Sequence, residues 1–164
     1  MHAPRSLGAY GLTLVLGLFG ATGVVNQCSP PPVSAPIDIS YQCTDMVNSA
    51  RAQAGVAAVT VVAAINQAAQ GQSSYQASIQ KMTHTGADGS NAGQRIAAQG
   101  YAWSTWAENV AAGQVDCASV MSAWMGSAGH RANILNPAMT SIGVGAVKGT
   151  NGVIYWTMDF AAPA

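Results

Sequence analysis

The chain has 164 residues, enough for one domain, with 49% hydrophobic and only 7% charged residues and a formal net charge of +0. Average soluble domains carry about 25% charged residues, and disorder requires low hydrophobicity with high charge. The composition therefore excludes an intrinsically disordered chain and one steered by charge toward nucleic acid or anionic lipid; it suits a small secreted domain covered with Ser, Thr, Asn, Gln and Gly.

Residues 1–25 read as a secretory signal peptide: Arg5 supplies the positive start, Leu12 to Phe19 the apolar core, and Ala21-Thr-Gly23 small residues for cleavage. That core is shorter than the roughly 20 residues a membrane-spanning helix needs. The expectation is a secreted, extracellular monomer with no transmembrane span in the mature chain. Residues 26–39, with Pro30, Pro31, Pro32 and Pro36, read as an extended Pro-rich linker. Residues 40–164 then form the folded domain.

Ser40 is placed to cap a first helix whose apolar residues Cys43, Met46, Val47, Ala50 and Ala54 recur at three-four spacing, with Gly55 as its stop. Thr60 is placed to cap a second. Its stripe runs through Val61, Val62, Ile65, Ala68, Ala69, Tyr75, Ile79 and Met82, and Gly71 weakens its middle, for one kinked helix or two. Thr83 to Gly89 is rich in turn residues, and Asp88 within it reads as part of a turn rather than a calcium loop. A short helix follows from about Asn91 to Gln99, ended by Gly100. Tyr101, Trp103 and Trp106 are core residues or the edge of a lipid or sterol pocket, and residues 107–110 are a short strand or a tight turn.

Asp116 caps a helix bearing Cys117, Val120, Met121, Trp124 and Met125 on one side. The stretch from Trp124 to Asn136 breaks at Gly126 and Gly129 and presents Ser127, His130 and Arg131 on irregular backbone, where functional groups concentrate. The period then changes. Ile142, Val144 and Ala146 alternate with other residues, Lys148 to Gly152 reads as a hairpin turn, and Ile154, Trp156, Met158 and Phe160 face one side with Val153, Tyr155, Thr157 and Asp159 on the other. Helices followed by a hairpin indicate an α+β fold, helices packed on a small antiparallel sheet.

In an oxidising compartment cysteines are read first as disulfides. Of Cys28, Cys43 and Cys117, the last two each fall on the apolar side of a helix's first turn and are expected to bond. Cys28, in the linker, is left over for a free thiol or an intermolecular bridge.

Polar chemistry is sparse. His84 and His130 are two of three histidines, and Glu108 is the only glutamate; we expect these three to meet in one cleft. Two neutral imidazoles and a carboxylate make a divalent-metal site, with zinc the usual guest, although the spacing is not the two-histidine helix motif of metalloproteases. Ser127, His130 and Glu108 also compose a serine-hydrolase set, if the hydroxyl contacts its base and the base is oriented.

Several segments occur in a familiar order: His84 after a long helix, Asp88-Gly89, Arg95-Ile96 with Gly100-Tyr101, Glu108-Asn109, Trp124 with Gly129-His130-Arg131-Ala-Asn-Ile-Leu, Ile142-Gly-Val-Gly145, and Tyr155-Trp156 with Asp159-Phe160. Over residues 40–160 the chain resembles the CAP superfamily (cysteine-rich secretory proteins, antigen 5 and pathogenesis-related-1 proteins), in its short microbial form, the SCP domain. The resemblance implies an α-β-α sandwich and a cleft lined by two histidines and two acidic residues. His84, Glu108 and His130 occupy three of those places. The family's second glutamate lies three residues after the tryptophan, where this chain has Ser127. The implied function is extracellular binding of a small apolar or amphipathic ligand, sterol or lipid in some members, or of an extracellular protein partner, rather than turnover. A metal-assisted or serine-type hydrolase using the same cleft is the alternative.

Overall fold

The computed structural model describes residues 39–164. The signal peptide, the linker up to Asp38 and Cys28 lie outside the described residues. The elements run α1 (Ser40–Gln53), β1 (Thr60–Val61), α2 (Ala63–Ile79), α3 (Ala92–Ala98), β2 (Trp103–Ala112), α4 (Cys117–Gly126), α5 (Ala128–Ile134), β3 (Ser141–Lys148) and β4 (Ile154–Pro163). The sheet order is β1-β3-β4-β2. The β3–β4 hairpin is antiparallel, as expected; β2 adds a second antiparallel pairing on β4, and the two-residue β1 a parallel one with β3.

Each face of the sheet is covered by helices, which makes an α-β-α sandwich of α+β class. The alternation along β4 divides the two cores. Trp156, Met158 and Phe160 join Ile142 and Val144 under α1 and α4, where Cys43, Val47, Val120, Met121 and Trp124 complete the larger cluster. Fully burying one such apolar side chain is worth about 1.5–3 kcal/mol. Both buried indoles keep a partner, Trp124 Nε1 on the Val110 carbonyl and Trp156 Nε1 on that of Gln114. The opposite residues of β4 meet α2: Thr157 Oγ1 accepts from Ser73 Oγ (3.0 Å) and Gln76 Nε2 (2.9 Å). This second layer has little apolar mass, and close backbone approach replaces it. A Cβ at Gly143 would strike the α2 backbone at Ile65 and Asn66, and one at Gly145 would strike Ala69. Only glycine on β3 lets α2 lie against the sheet there.

Cys43 and Cys117 are bonded, with Cα atoms 5.3 Å apart, and join α1 to α4. Asp116 caps α4 with a reciprocal Ser119 contact, and Asn91 caps α3 through Gln94 in the same way. Two expected caps are absent. Ser40 is already helical and spends its hydroxyl on the Val144 carbonyl, and Thr60 is the first residue of β1. The second helix is one unbroken element through Gly71, and it ends before Met82, which is exposed. The residues between Gly126 and Leu135 are also not loop. Only Ser127 leaves the helical region (φ −101°, ψ 124°), as the joint between α4 and α5. Contacts distant in sequence hold α5 in place: Arg51 Nη1 donates to the Ile134 carbonyl at its C-terminal end (2.8 Å), and Asn109 Nδ2 to that of His130 (3.1 Å).

Candidate functional site

Among the described residues β2 is an edge strand, paired only with β4, and the polar residues gather along it. Residues 107–110 lie inside this strand, so Glu108 and Asn109 face opposite sides of the sheet. Asn109 turns to α5, where it binds the His130 carbonyl and accepts from Asn133 Nδ2 (2.8 Å); Asn133 also reaches the Glu108 carbonyl (3.3 Å). These amides clamp the helix carrying His130 onto the strand carrying Glu108.

Glu108 holds the centre. Its Oε1 lies 2.7 Å from His84 Nδ1, and its Oε2 pairs with Arg95 Nη2. The carboxylate side chain is 3% exposed and Arg95 12%, whereas His84 is 61% exposed. A buried carboxylate is costly unless paired, and here each oxygen has a partner. In the neutral imidazole Nδ1 then carries the proton, leaving the Nε2 lone pair on an open side chain.

The backbone around His84 is fixed from three directions. Gln72 Nε2 donates to the carbonyls of Thr83 (2.7 Å) and Thr85 (3.3 Å), Gln76 Oε1 accepts from Thr83 N (3.1 Å), and Arg95 Nη1 donates to the His84 carbonyl (3.1 Å). Burial, and secondarily the nearby His84, pull the His130 pKa below its ordinary value.

Asp159 lies beside Glu108 in the β2–β4 register, fully buried; as a carboxylate neither of its oxygens has a hydrogen-bond partner among the described residues, whereas as an acid it can donate to Glu108. Burial first, and the adjacent Glu108 second, push its pKa well above the usual carboxylate range; Arg95 acts against them.

The open side of this assembly is a cleft of about 340 Å³ lined by His84, Glu108, Asn91, Asn133, Trp106 and the small residues Ala92 and Ala107. Trp106 forms a wall of it. Tyr101 and Trp103 instead pack with Trp106 around Ile65 and Ile96, the two indoles edge to face at 6.3 Å. Ser127 does not line the cleft, and among the described residues no hydrogen bond joins its hydroxyl to either histidine. Sequence reasoning singled out neither Arg95 nor Asp159 as a site residue, nor the amides of Gln72, Gln76, Asn109 and Asn133. Arg95, Asn109, Asn133 and Asp159 did stand inside the segments that carried the resemblance, which was the available signal.

The α+β fold matches that of solved SCP-domain structures. Residues 44–160 match the cysteine-rich secretory protein family, and the chain belongs to this CAP family. It is 32% identical over 130 residues to the Bacillus subtilis protein YkwD, covering 77% of this chain and 49% of that protein, so it spans about half the relative's length. Among solved structures, an extracellular SCP-domain protein from Bacillus anthracis superimposes with a TM-score of 0.68 at 24% identity, over 74% of this chain and 39% of the other. An outer surface protein from Borrelia burgdorferi gives 0.69 at 19% identity, over 79% and 98%. Among the described residues no helix is long and apolar enough to cross a membrane.

The divalent ion expected from the two imidazoles and the carboxylate does not fit Glu108 as its ligand. Both carboxylate oxygens are engaged, one by His84 and one by Arg95, so an ion there would compete with an existing contact and sit beside a guanidinium. Among the described residues no three His, Cys, Asp or Glu side chains stand at metal-holding spacing. Arg95 supplies the positive charge next to Glu108.

Proposed function

We propose that this is a secreted binding domain whose cleft on β2 holds a small amphipathic ligand, a sterol or fatty acid being the class to test first. The ligand's polar end meets His84, and its apolar body lies on Trp106 and Ala107. The observation that carries this reading is the composition of the cleft: one aromatic wall, two small apolar residues and a histidine locked by a buried carboxylate. Apolar lining with a few placed polar groups is the usual anatomy of such sites, and about 340 Å³ lies at the small end of their range. The leader-like residues 1–25, together with structural neighbours described as extracellular or outer-surface proteins, support secretion.

Titration of the purified protein with fluorescent sterol and fatty-acid probes tests the reading. Saturable binding that Trp106→Ala and His84→Ala both weaken is expected. Absence of saturable binding by either class would remove it.

A hydrolase is the second reading, favoured by the His84–Glu108 contact, since a histidine oriented by a carboxylate is half of a general-base device. It predicts ester or peptide hydrolysis abolished by His84→Ala; activity indifferent to both His84→Ala and Ser127→Ala would dispose of it.

A further inference from the structure

The polar groups of the cleft on β2 are turned in a fixed sense by what lies behind them. On the reading of this cleft as a ligand site, we infer that the ligand's polar end is a hydrogen-bond donor, a hydroxyl, and that the carboxylate of a fatty acid is rejected.

Two chains of hydrogen bonds end at the cleft, and each begins at a group whose role cannot reverse. The first begins at Arg95, which only donates. Its Nη2 pairs with Glu108 Oε2, and an ionised carboxylate only accepts. Glu108 Oε1 therefore accepts from His84 Nδ1 at 2.7 Å. With that nitrogen protonated, Nε2 of the neutral ring keeps a lone pair, on a side chain that is 61% exposed and lines the cleft.

The second chain begins at the backbone carbonyl of His130, which only accepts. Asn109 Nδ2 donates to it at 3.1 Å, so Asn109 Oδ1 is an acceptor. That oxygen takes Asn133 Nδ2 at 2.8 Å, and the same nitrogen reaches the Glu108 carbonyl at 3.3 Å. The orientation of the Asn133 amide is thereby set. Its Oδ1 has no donor among the described residues and is not one of the sealed polar atoms, and Asn133 lines the cleft. The second chain thus also ends in an acceptor.

Donors are fewer. Trp106 Nε1 is turned toward α3, where a Cβ on Gly93 would collide with it. Asn91 spends its Oδ1 on the cap of α3, which leaves its Nδ2 as a donor on an exposed side chain. No Lys or Arg lines the cleft, and Arg95 is already paired with Glu108. A hydroxyl can donate to His84 or Asn133 and accept from Asn91. A carboxylate brings no hydrogen to either acceptor and finds no unpaired cation. A site that receives a hydrogen bond discriminates strongly against an analogue lacking the donor.

The test is calorimetric titration of the full chain at about pH 8, above the ordinary imidazole range, with 1-decanol, decanoate and decyl methyl ether. Decanol should bind at least about tenfold more tightly than either of the others. Trp106→Ala should weaken decanol binding. His84→Asn keeps an amide for Glu108 but has no acceptor at the place of Nε2, and it should bring the three affinities together. Decanoate or the ether binding as tightly as decanol would overturn the hydroxyl assignment while leaving the cleft a ligand site. So would a preference for decanol that His84→Asn does not reduce. Binding of none of the three, or binding indifferent to Trp106→Ala, would remove the ligand reading of the cleft and the hydroxyl assignment with it.

Discussion

Glu108 and Asp159 stand opposite each other across the β2–β4 ladder, Glu108 paired on both oxygens and Asp159 on neither among the described residues. Two adjacent buried carboxyls do not both ionise readily, and the one without partners keeps the proton. An unfolded aspartate releases its proton near pH 4, whereas folded Asp159 holds it well above that. Between these two values the native state binds more protons than the unfolded one, so this group costs stability progressively as pH rises. Asp159→Asn cannot titrate and still offers an N–H toward Glu108. Its stability relative to the parent should therefore improve from pH 4 to pH 8, read by thermal melts at both. A difference that is the same at the two pH values would sink the assignment of a buried acid.

His130 provides an independent pH marker. Its pKa is lowered first by burial and then by His84, so it should titrate below the ordinary value of about 6.5. The folded state binds the proton less well than the unfolded chain does. This group therefore lowers stability as pH falls below 6.5, and the loss is complete once pH passes the folded value. In His84→Ala the smaller cause is gone, so the His130 titration followed by NMR should move up part of the way. A full return to the unperturbed value, or no movement, would contradict the order of causes.

Arg51 is buried, and among the described residues it has no carboxylate partner and is held by carbonyls: Ala57 (2.6 Å), Ile134 (2.8 Å), Asn136 (3.0 Å) and Met139 (2.9 Å). It ties α1 to the C-terminal end of α5, and so to the helix bearing His130. Each buried acceptor left unmet costs about 1–3 kcal/mol, so Arg51→Leu should lose about 3 kcal/mol or more in denaturant unfolding. Arg51→Lys should also be destabilised, since an ammonium cannot reproduce the fork. A loss below about 1 kcal/mol for Arg51→Leu would mean that these carbonyls find water at once.

The Cys43–Cys117 bridge spans 74 residues. Loop-closure entropy for such a span is worth about 4 kcal/mol in the chain-entropy model. Cys43→Ser or Cys117→Ser should lower the thermal midpoint in oxidising buffer and change it little in reducing buffer. Equal losses in both buffers would assign the effect to packing at these buried positions instead of to the bond.

The features legible before any coordinates were those written in local periods. The apolar side of α4 with its Asp116 cap, the alternation of β4, the hairpin turn after Lys148 and the positions of the two bonded cysteines each depend on residues within a turn or two of one another. The motif order carried the fold as a whole. Mistakes arose where a residue's state depends on something far along the chain. Ser40 and Thr60 have the chemistry of helix caps, but one serves the Val144 carbonyl and the other extends beside Ser141. The segment after Gly126 has a glycine-broken pattern yet is helical, because Arg51 and Asn109 hold its carbonyls. What the amino-acid order alone decided is which side of each element is apolar, since side-chain period follows directly from backbone geometry. Only the tertiary structure decided that Arg95 stands against Glu108 and that Asp159 is sealed beside them, because burial and cross-strand pairing are set by register between segments far apart in the chain.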